Sequence, residues 1–250
     1  MKVAVIQTSP VLKDIEGNLR TLAKLVIEAA EKGAELITCP EMALSGYGYM
    51  STAEADPYAE VISNYMREGV APPRSMEVMG AIARKHQVAI AWGVMEKDYV
   101  TGALHNSQVL MLPNQTYVTT RKLNGFSNDH LWFTPGTASP PIIDFLGKRI
   151  GLLICRDIRN KADKFTDLYE PGDADIVCFS SNFGDGGFPS NSWLDFAKEN
   201  KVWLAVSNRY GLEVPNNFGE GGICVISPSG KVYCEGLVWS QSCIVYADVP

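Results

Sequence analysis

The stretch Lys2-Val3-Ala4-Val5-Ile6-Gln7 opens the chain with a short run rich in Val and Ile, which is typical of a buried strand. Apolar residues at helical spacing follow, and they predict a helix from Asn18, as its N-cap, to about Lys32. A second apolar strand is predicted over residues 36–39. A strand–helix–strand unit favours parallel pairing, because the helix returns the chain to the edge of the sheet where the first strand began.

Strands and helices continue to alternate along the chain, and hairpins are mixed among them. Further helices are predicted at 75–86, near 161–170 and at 193–200. Further strands are predicted at 88–96, 107–112, 116–120, 142–145, 149–154, 174–180, 202–207, 222–227, 231–235 and 243–248. This mixture predicts an α/β fold in which a mixed sheet is layered with helices, organised as a single domain over residues 1–250.

Composition narrows the class of protein. The 250 residues are 46% hydrophobic and 20% charged, an ordinary globular balance, and the net charge is −6. The absence of a basic run argues against nucleic acid as a partner, and no apolar window is long enough for a membrane span. The N-terminus lacks a signal-like apolar segment, so we expect a cytoplasmic protein whose six cysteines are free thiols. Without a Cys/His cluster, a structural zinc site is not expected.

Three reactive side chains follow predicted strands. Glu41 comes just after the strand at 36–39, Lys122 follows the strand at 116–120, and Cys155 ends an apolar run before a polar segment. Taken singly, each has an ordinary structural explanation: a carboxylate that caps a turn, a surface lysine and a buried cysteine. The apolar-to-polar change at Cys155 is also the layout of a nucleophile elbow, in which a sharp turn exposes the reactive atom.

Together the three residues suggest nucleophilic catalysis. A thiol attacks poorly until it is deprotonated, and Glu41 is a candidate general base for Cys155. An ammonium group from Lys122 would favour the thiolate and stabilise an oxyanion. Histidine is the more usual base, but the three histidines, His86, His105 and His130, are interpreted as structural.

At these residues the sequence resembles the nitrilase superfamily of carbon–nitrogen hydrolases, and the resemblance covers nearly the whole chain. The motifs that carry it are Val3–Gln7, Pro40-Glu41 with Ser45-Gly46-Tyr47, His105-Asn106-Ser107, Arg121-Lys122, Phe133-Thr134-Pro135-Gly136, the Cys-x-Asp-x-Arg run at 155–159, Ala174-Asp175-Ile176, Ala197-Lys198-Glu199-Asn200, Asn208 and Pro228-Ser229-Gly230. Each motif is weak alone, but their order and spacing make the set specific.

The resemblance implies a four-layer α-β-β-α sandwich of mixed sheets. It implies a catalytic triad of Glu41, Lys122 and Cys155, which would form a thioester acyl-enzyme that water then hydrolyses. It also implies an oxyanion donor in the backbone N–H of Arg156 and no cofactor. Family members commonly associate through the face that carries the helix after the cysteine, so a homodimer is expected.

The sequence departs from the family pattern at a few positions. Where relatives often have a second glutamate, this chain has Asp129 or the neighbouring His130, and an aspartate is one methylene shorter. After Arg159 the common Phe-Pro-Glu is replaced by Asn160-Lys161-Ala162. Phe196 stands where arginine is usual, and Ile223 where serine is frequent. These changes leave the triad in place and affect the prediction of substrate and oligomeric state.

The resemblance is closest to the amidase and carbamoylase branches, which predicts a small carboxamide as substrate and ammonia as product. Two alternatives stay open: an N-carbamoyl hydrolase, and a catalytically silent family member that serves as a binding or scaffold protein. Candidate pocket residues in the loops are Tyr47, Tyr49, Phe126, Trp132, Asn182 and Phe183. Arg159, Lys161 and Lys164 are candidates to hold a substrate carboxylate.

Overall fold

The computed structural model describes residues 1–159, 169–170, 172–184 and 187–250. Its α-helices are α1 (Ile15–Glu31), α2 (Thr52–Ala55), α3 (Arg74–His86) and α4 (Asn191–Glu199). Its strands are β1 (Lys2–Thr8), β2 (Leu36–Thr38), β3 (Ala89–Lys97), β4 (Leu104–Met111), β5 (Tyr117–Arg121), β6 (Ile142–Phe145), β7 (Lys148–Ile154), β8 (Ile176–Ser180), β9 (Trp203–Arg209), β10 (Leu212–Glu213), β11 (Asn216–Asn217), β12 (Cys224–Ile226), β13 (Val232–Tyr233) and β14 (Cys243–Asp248).

The main sheet is mixed and consists of two halves. One half has the order β5-β4-β3-β2-β1, with β14 antiparallel to β1. The other has the order β9-β8-β7-β6, with β12 antiparallel to β9 and β13 antiparallel to β12. Among the described strands, the two halves pair through Gln7 and Thr8 of β1 with Asn208 and Arg209 of β9. Because this seam is so short, the two halves can fold over one another with a shared interior.

Three apolar clusters show the layers. Helices α1 and α3 bury Leu22 and Met79 against one face of the first half-sheet. The opposite face contributes Leu110 to a second cluster, which it shares with Leu152 of the other half-sheet. Trp193 of α4 packs on the outer face of that second half. The order helix, sheet, sheet, helix confirms the predicted four-layer α-β-β-α sandwich.

The first helix begins earlier than the sequence predicts. Asp14 is its N-cap, since the Asp14 side chain accepts a hydrogen bond from the Gly17 N–H. Asn18 lies inside α1, buried, and its amide donates to the carbonyl oxygens of Val11 and Leu44 at 2.7 and 2.6 Å. The prediction of Asn18 as the cap was therefore wrong: its polar side chain serves a tertiary contact.

Most other predicted elements are confirmed within one to three residues, including the hairpin that joins β4 and β5. The helix predicted near 161–170 and the Asn160-Lys161-Ala162 segment fall almost entirely outside the described residues. Within the described part of the chain, no helix has the length and apolar character needed to cross a membrane.

Candidate active site

Glu41 lies just beyond β2, where the chain crosses directly over Gly93 of β3. The Gly93 N–H donates to the Pro40 carbonyl at 3.0 Å, and the Gly93 carbonyl accepts from the Ala43 N–H at 3.1 Å. A Cβ atom on residue 93 would lie 2.6 Å from the Glu41 Cα. Glycine is therefore required at this point of β3, because any larger residue would push the backbone of Glu41 away.

Lys122 follows β5 and is completely buried, which is unusual for a lysine. Its Nζ donates to Glu41 Oε1 at 2.8 Å, to Asp129 Oδ2 at 2.9 Å and to the Tyr47 hydroxyl at 3.0 Å. An ammonium group has three N–H donors, so all three are engaged. The shorter Asp129 carboxylate reaches the lysine, and Asp129, not His130, occupies this position.

Neighbouring groups keep the Lys122 side chain protonated. Burial by itself disfavours an ammonium group, but the carboxylates of Glu41 and Asp129 outweigh that effect and hold the pKa of Lys122 well above its usual range. Burial in turn raises the pKa of Tyr47, so its hydroxyl keeps its proton. The cluster therefore contains a permanent cation beside a neutral phenol.

Cys155 directly follows β7 and is the first residue of a 3-10 helix over Cys155–Arg159. Its φ of 42° lies in the left-handed region, which few residues other than glycine adopt, so the sharp turn expected from the sequence is present. The side chain is 6% exposed. The turn directly after β7 places Cys155 in the wall of a cavity.

The resting state of Cys155 is the thiol. Burial and the Glu41 carboxylate raise its pKa, and they outweigh the opposite effects of Lys122 and the Asn182 backbone N–H. Lys122 acts in the expected direction and lowers the pKa of the thiol, but burial and Glu41 act more strongly. A proton acceptor is needed when the sulfur reacts, and the carboxylate close enough to raise the thiol's pKa belongs to Glu41.

Several buried polar atoms in this region lack partners within the described residues. Glu41 Oε1 accepts from both Lys122 and the Asn106 amide, whereas Glu41 Oε2 has no hydrogen-bond partner. Asp129 Oδ1 is also unpartnered, and so are both polar atoms of the Asn182 side chain. Buried polar groups are normally satisfied, and an exception calls for an explanation such as a bound ligand or a catalytic role.

Asp157 ties the cysteine segment to the lysine segment. Its carboxylate accepts hydrogen bonds from the backbone N–H groups of Leu123 and Asn124 and from the Asn124 side chain. Burial raises the pKa of Asp157 to about 6, although these donors act in the opposite direction. Asp157, two positions after Cys155, thus holds the backbone of Leu123, which directly follows Lys122.

A cavity of about 220 Å³ opens onto the sulfur. Its walls are formed by Phe126, Cys155, Arg156, Arg159, Asn182, Phe183, Gly184, Pro215, Asn216, Asn217 and Phe218. The Arg156 and Arg159 guanidinium groups lie over the rings of Phe126 and Phe183, at 5.7 and 4.4 Å. Among the described residues that line it, the charged side chains are Arg156 and Arg159, and both are positive.

The structure separates the candidate pocket residues into two groups. Phe126, Asn182 and Phe183 line the cavity, as does Arg159. The rings of Tyr47, Tyr49 and Trp132 belong instead to a buried cluster below it. Lys161 and Lys164, the other candidates for binding a carboxylate, lie outside the described residues.

The sequence interpretation missed part of the site. Asn106, which donates to Glu41 Oε1 at 2.7 Å, was quoted only within a motif, although a buried amide in a strand is a detectable signal. The wall segment 215–218 was not predicted, and its loop-like composition carries no signal of function. Of the histidines, His105 is nearly buried and contacts the Thr134 carbonyl at 2.7 Å.

The family follows from comparison with known proteins. A family model described as carbon-nitrogen hydrolase matches residues 2–250. A nitrilase from Pyrococcus abyssi is 29% identical over 93% of this chain and 83% of its own length. An omega-amidase from Xenopus laevis is 27% identical over 99% of this chain and 88% of its own length.

Solved structures agree with this assignment of the fold. The NitN amidase from Nesterenkonia sp. AN1 superposes with a TM-score of 0.82 at 21% identity, covering 100% of this chain and 93% of that one. A variant of that amidase in complex with butyramide superposes with a TM-score of 0.81 at 20% identity, covering 100% and 91% of the two chains.

The chain belongs to the carbon–nitrogen hydrolase family and is an enzyme of that class. The resemblance to the amidase-like branch of the nitrilase superfamily is confirmed.

Proposed function

We propose that this enzyme hydrolyses a small carboxamide to a carboxylate and ammonia through a thioester on Cys155. The observation that carries the proposal is the placement of a protonated thiol at the base of a cavity, beside a carboxylate with one open oxygen. Glu41 Oε2 is that oxygen, and Lys122 holds Oε1 at 2.8 Å. This arrangement is suited to proton transfer away from the sulfur at the moment of attack.

In the acylation step, the Cys155 thiol transfers its proton to Glu41 as the sulfur forms a bond to the carbonyl carbon of the substrate. The tetrahedral intermediate then collapses, and the C–N bond breaks. Glu41 returns the proton to the leaving nitrogen, so that ammonia departs as a neutral molecule. The product of this half-reaction is a thioester on Cys155.

In the deacylation step, Glu41 removes a proton from water, and the oxygen attacks the thioester carbon. The C–S bond breaks, and the proton on Glu41 returns to the sulfur. The carboxylic acid leaves and ionises in solution. The enzyme ends as it began, with a neutral thiol and an ionised Glu41.

The oxyanion requires donors that are already in place. The Arg156 backbone N–H is the donor that the family resemblance suggests, and Lys122 is the charged group nearby. Since the Lys122 N–H groups are all engaged, one of them must be released or shared during the reaction. Tyr47 offers a second route, because its hydroxyl accepts from Lys122 and its own hydrogen has no acceptor among the described residues.

The cavity suggests which amides fit. Asn182 is 5% exposed and its carboxamide has an unpartnered donor and an unpartnered acceptor, which match those of a primary amide. Arg156 and Arg159 favour a substrate with a carboxylate at its far end. The same arginines support the second candidate, an N-carbamoyl amino acid, which carries both a primary amide-like group and a carboxylate.

The test is ammonia release from a matched panel: butyramide, succinamate as its carboxylate-bearing counterpart, and N-carbamoylglycine. We expect turnover of at least one amide, with a lower KM for succinamate than for butyramide. Mass spectrometry should detect an acyl adduct on the peptide that contains Cys155.

Cys155→Ala should abolish both adduct and turnover, whereas Cys234→Ala, at a half-buried cysteine away from the cavity, should retain them. Absence of adduct and turnover with the whole panel would contradict the proposal and favour the silent binding protein. Preference for N-carbamoylglycine over both amides would favour the carbamoyl hydrolase. The homodimer expected from the sequence stays a prediction, which sedimentation in solution would test.

A further inference from the structure

Arg209 and Glu213 form an ion pair below the candidate site, and neither residue lines the cavity. Arg209 ends β9 and is 1% exposed, and Glu213 ends β10 and is 7% exposed. The Arg209 Nη1 atom donates to Glu213 Oε2 at 3.0 Å. Two charges buried this deeply gain little net stability from pairing with each other, because both have lost their hydration. The pair therefore calls for a reason other than stability.

The other oxygen of Glu213 holds the loop that carries Tyr47. Oε1 accepts hydrogen bonds from the backbone N–H groups of Tyr47 and Gly48, both at 2.6 Å. The backbone at Gly46 is shaped for this contact. Gly46 has a φ of 75°, and a Cβ atom there would lie 2.7 Å from Glu213 Oε2. Only glycine allows the loop to approach the carboxylate so closely while keeping this left-handed conformation.

A second contact leads from the ion pair to the same tyrosine and to the cavity wall. The Arg209 guanidinium lies 4.3 Å from the centre of the Phe218 ring, and Phe218 meets the Tyr47 ring edge-on at 5.9 Å. Phe218 is part of the cavity wall. Tyr47 is therefore held from the backbone by Glu213 and from the ring by Phe218, and its hydroxyl lies 3.0 Å from Lys122 Nζ.

We propose that Glu213, paired with Arg209, is a positioning residue for catalysis: it fixes the loop at 46–48 so that the Tyr47 hydroxyl occupies one N–H of Lys122. Tyr47 then controls how many Lys122 hydrogens remain for the sulfur and the oxyanion. Losing the tyrosine hydroxyl, or letting its loop move, frees an N–H that can stabilise the thiolate. This inference rests on the proposed amide hydrolysis for its effect on turnover, but its effect on the thiol can be measured without turnover.

The experiment measures the rate at which iodoacetamide alkylates Cys155 as a function of pH, with the half-buried Cys234 as a reference thiol in the same molecule. We expect Tyr47→Phe and Glu213→Ala each to shift the Cys155 profile by about one unit toward lower pH. The Tyr47→Phe/Glu213→Ala double variant should show no further shift, because Glu213 acts through the hydroxyl that is already missing. In turnover, Glu213→Ala should lower kcat by about tenfold with little change in KM, and less so in the Tyr47→Phe background.

Glu213→Asp is the second variant, since it keeps the charge beside Arg209 but withdraws the carboxylate from the two N–H groups. It should shift the profile in the same direction as Tyr47→Phe. Leu212→Ala, at an exposed residue of the same hairpin, is the matched control and should change nothing.

The inference is overturned if folded Glu213→Ala and Glu213→Asp proteins keep the wild-type profile and lose only thermal stability. It is also overturned if the shifts of Tyr47→Phe and Glu213→Ala add, which would mean that the unpaired Arg209 charge acts directly on the sulfur. If wild-type protein hydrolyses no amide, the proposed function fails while the alkylation profile still decides the role of Glu213.

Discussion

Two consecutive cations, Arg121 and Lys122, each bind two carboxylates, yet the two clusters differ in character. Arg121 pairs with Glu96 at 2.6 Å and with Asp98 at 2.8 Å, and its side chain is 33% exposed. The Arg121 and Glu96 groups are further tied into the network by the Ser107 hydroxyl, which donates to Glu96 Oε2. This cluster lies at the edge of the sheet, where Arg121 and Asp98 are partly exposed and Glu96 is nearly buried.

Lys122 is one residue further along, and its cluster is sealed from solvent. Lys122, Glu41 and Asp129 are each at most 1% exposed. One oxygen of each carboxylate has no hydrogen-bond partner within the described part of the chain. Consecutive side chains leave an extended backbone on opposite sides, so a shift of one residue separates a partly exposed ion pair from the buried cluster of the candidate active site.

The difference shows that charge pairing alone does not identify a site. A cation with two carboxylates is found in both places. What distinguishes the second cluster is that its polar atoms are buried without being fully satisfied and that a thiol adjoins them. Burial makes each unmet hydrogen bond costly, so such atoms persist where a substrate or a transferred proton will use them.

The largest expected effect is on kcat/KM, when the cations Lys122 and Arg121 are replaced one at a time. Lys122→Met should lower kcat/KM by about 10³-fold, because it removes the charge that faces both the sulfur and the oxyanion. Arg121→Met should leave kcat/KM nearly unchanged and cost about 2 kcal/mol in the free energy of unfolding, because the nearly buried Glu96 carboxylate loses its charged partner. Steady-state kinetics and urea unfolding would check the pair of variants. Similar losses of kcat/KM in both would break the distinction between the clusters.

Replacing one carboxylate of each cluster, Asp129 or Asp98, should have a smaller effect on kcat. Asp129→Asn should lower kcat by about 10²-fold, because Lys122 loses one of the acceptors that orient it and can shift within the site. Asp98→Asn is the matched variant at the surface cluster and should retain wild-type kcat. Kinetics with the best amide of the panel, at a temperature where circular dichroism shows both variants folded, would measure this. Equal kcat values would mean that Asp129 has no role in orienting the lysine.

The third comparison concerns how stability depends on pH. The pKa of Asp157 is raised to about 6 by burial, so the folded state binds its proton more tightly than the unfolded chain. The stability linked to Asp157 is therefore present below pH ~4 and is lost as the pH rises through about 6, by roughly 3 kcal/mol. The pKa of Asp98 is lowered by hydrogen bonds from Thr101 and Arg121, so its stabilisation is present above pH ~4 and is lost in acid.

Urea unfolding from pH 3 to 7.5 would test these opposite signs. The free energy of unfolding of wild type minus Asp157→Asn should fall between pH 4 and 7. The same difference for Asp98→Asn should instead grow as the pH rises from 3 to 5. Parallel slopes for the two variants would show that burial does not separate these carboxylates.

Much of the fold was predictable because local hydrophobic patterns in the sequence indicate the strands and helices. The Val/Ile-rich start of β1 and the helical spacing in α1 and α3 give period and length directly. The helix start was misplaced because Asn18 resembles a cap in sequence, whereas its amide bonds the Val11 and Leu44 carbonyl oxygens across a loop. Such a contact involves residues that are distant along the chain, and no local pattern encodes it.

The site was predictable to a lesser extent. Motif order predicts Glu41, Lys122 and Cys155 as site residues and marks Asp129 as a departure, but it does not show that Asp129 contacts Lys122. Tyr49 and Trp132 were expected in the pocket but pack below it, since a loop residue's orientation depends on its surroundings. The role of Glu213 was not anticipated, because its partners at 47 and 48 are more than 160 positions away.

The sequence by itself determined the alternation of strands and helices, the family and the identity of the reactive groups, because hydrophobic periodicity and motif order are written along the chain. Only the tertiary structure decided which groups share a buried site, that the Cys155 thiol rests protonated and that Lys122 has no spare hydrogen. These properties depend on burial and on distances between segments far apart in sequence. Burial sets the energy of each charge, and it exists only once the two half-sheets have closed over one another.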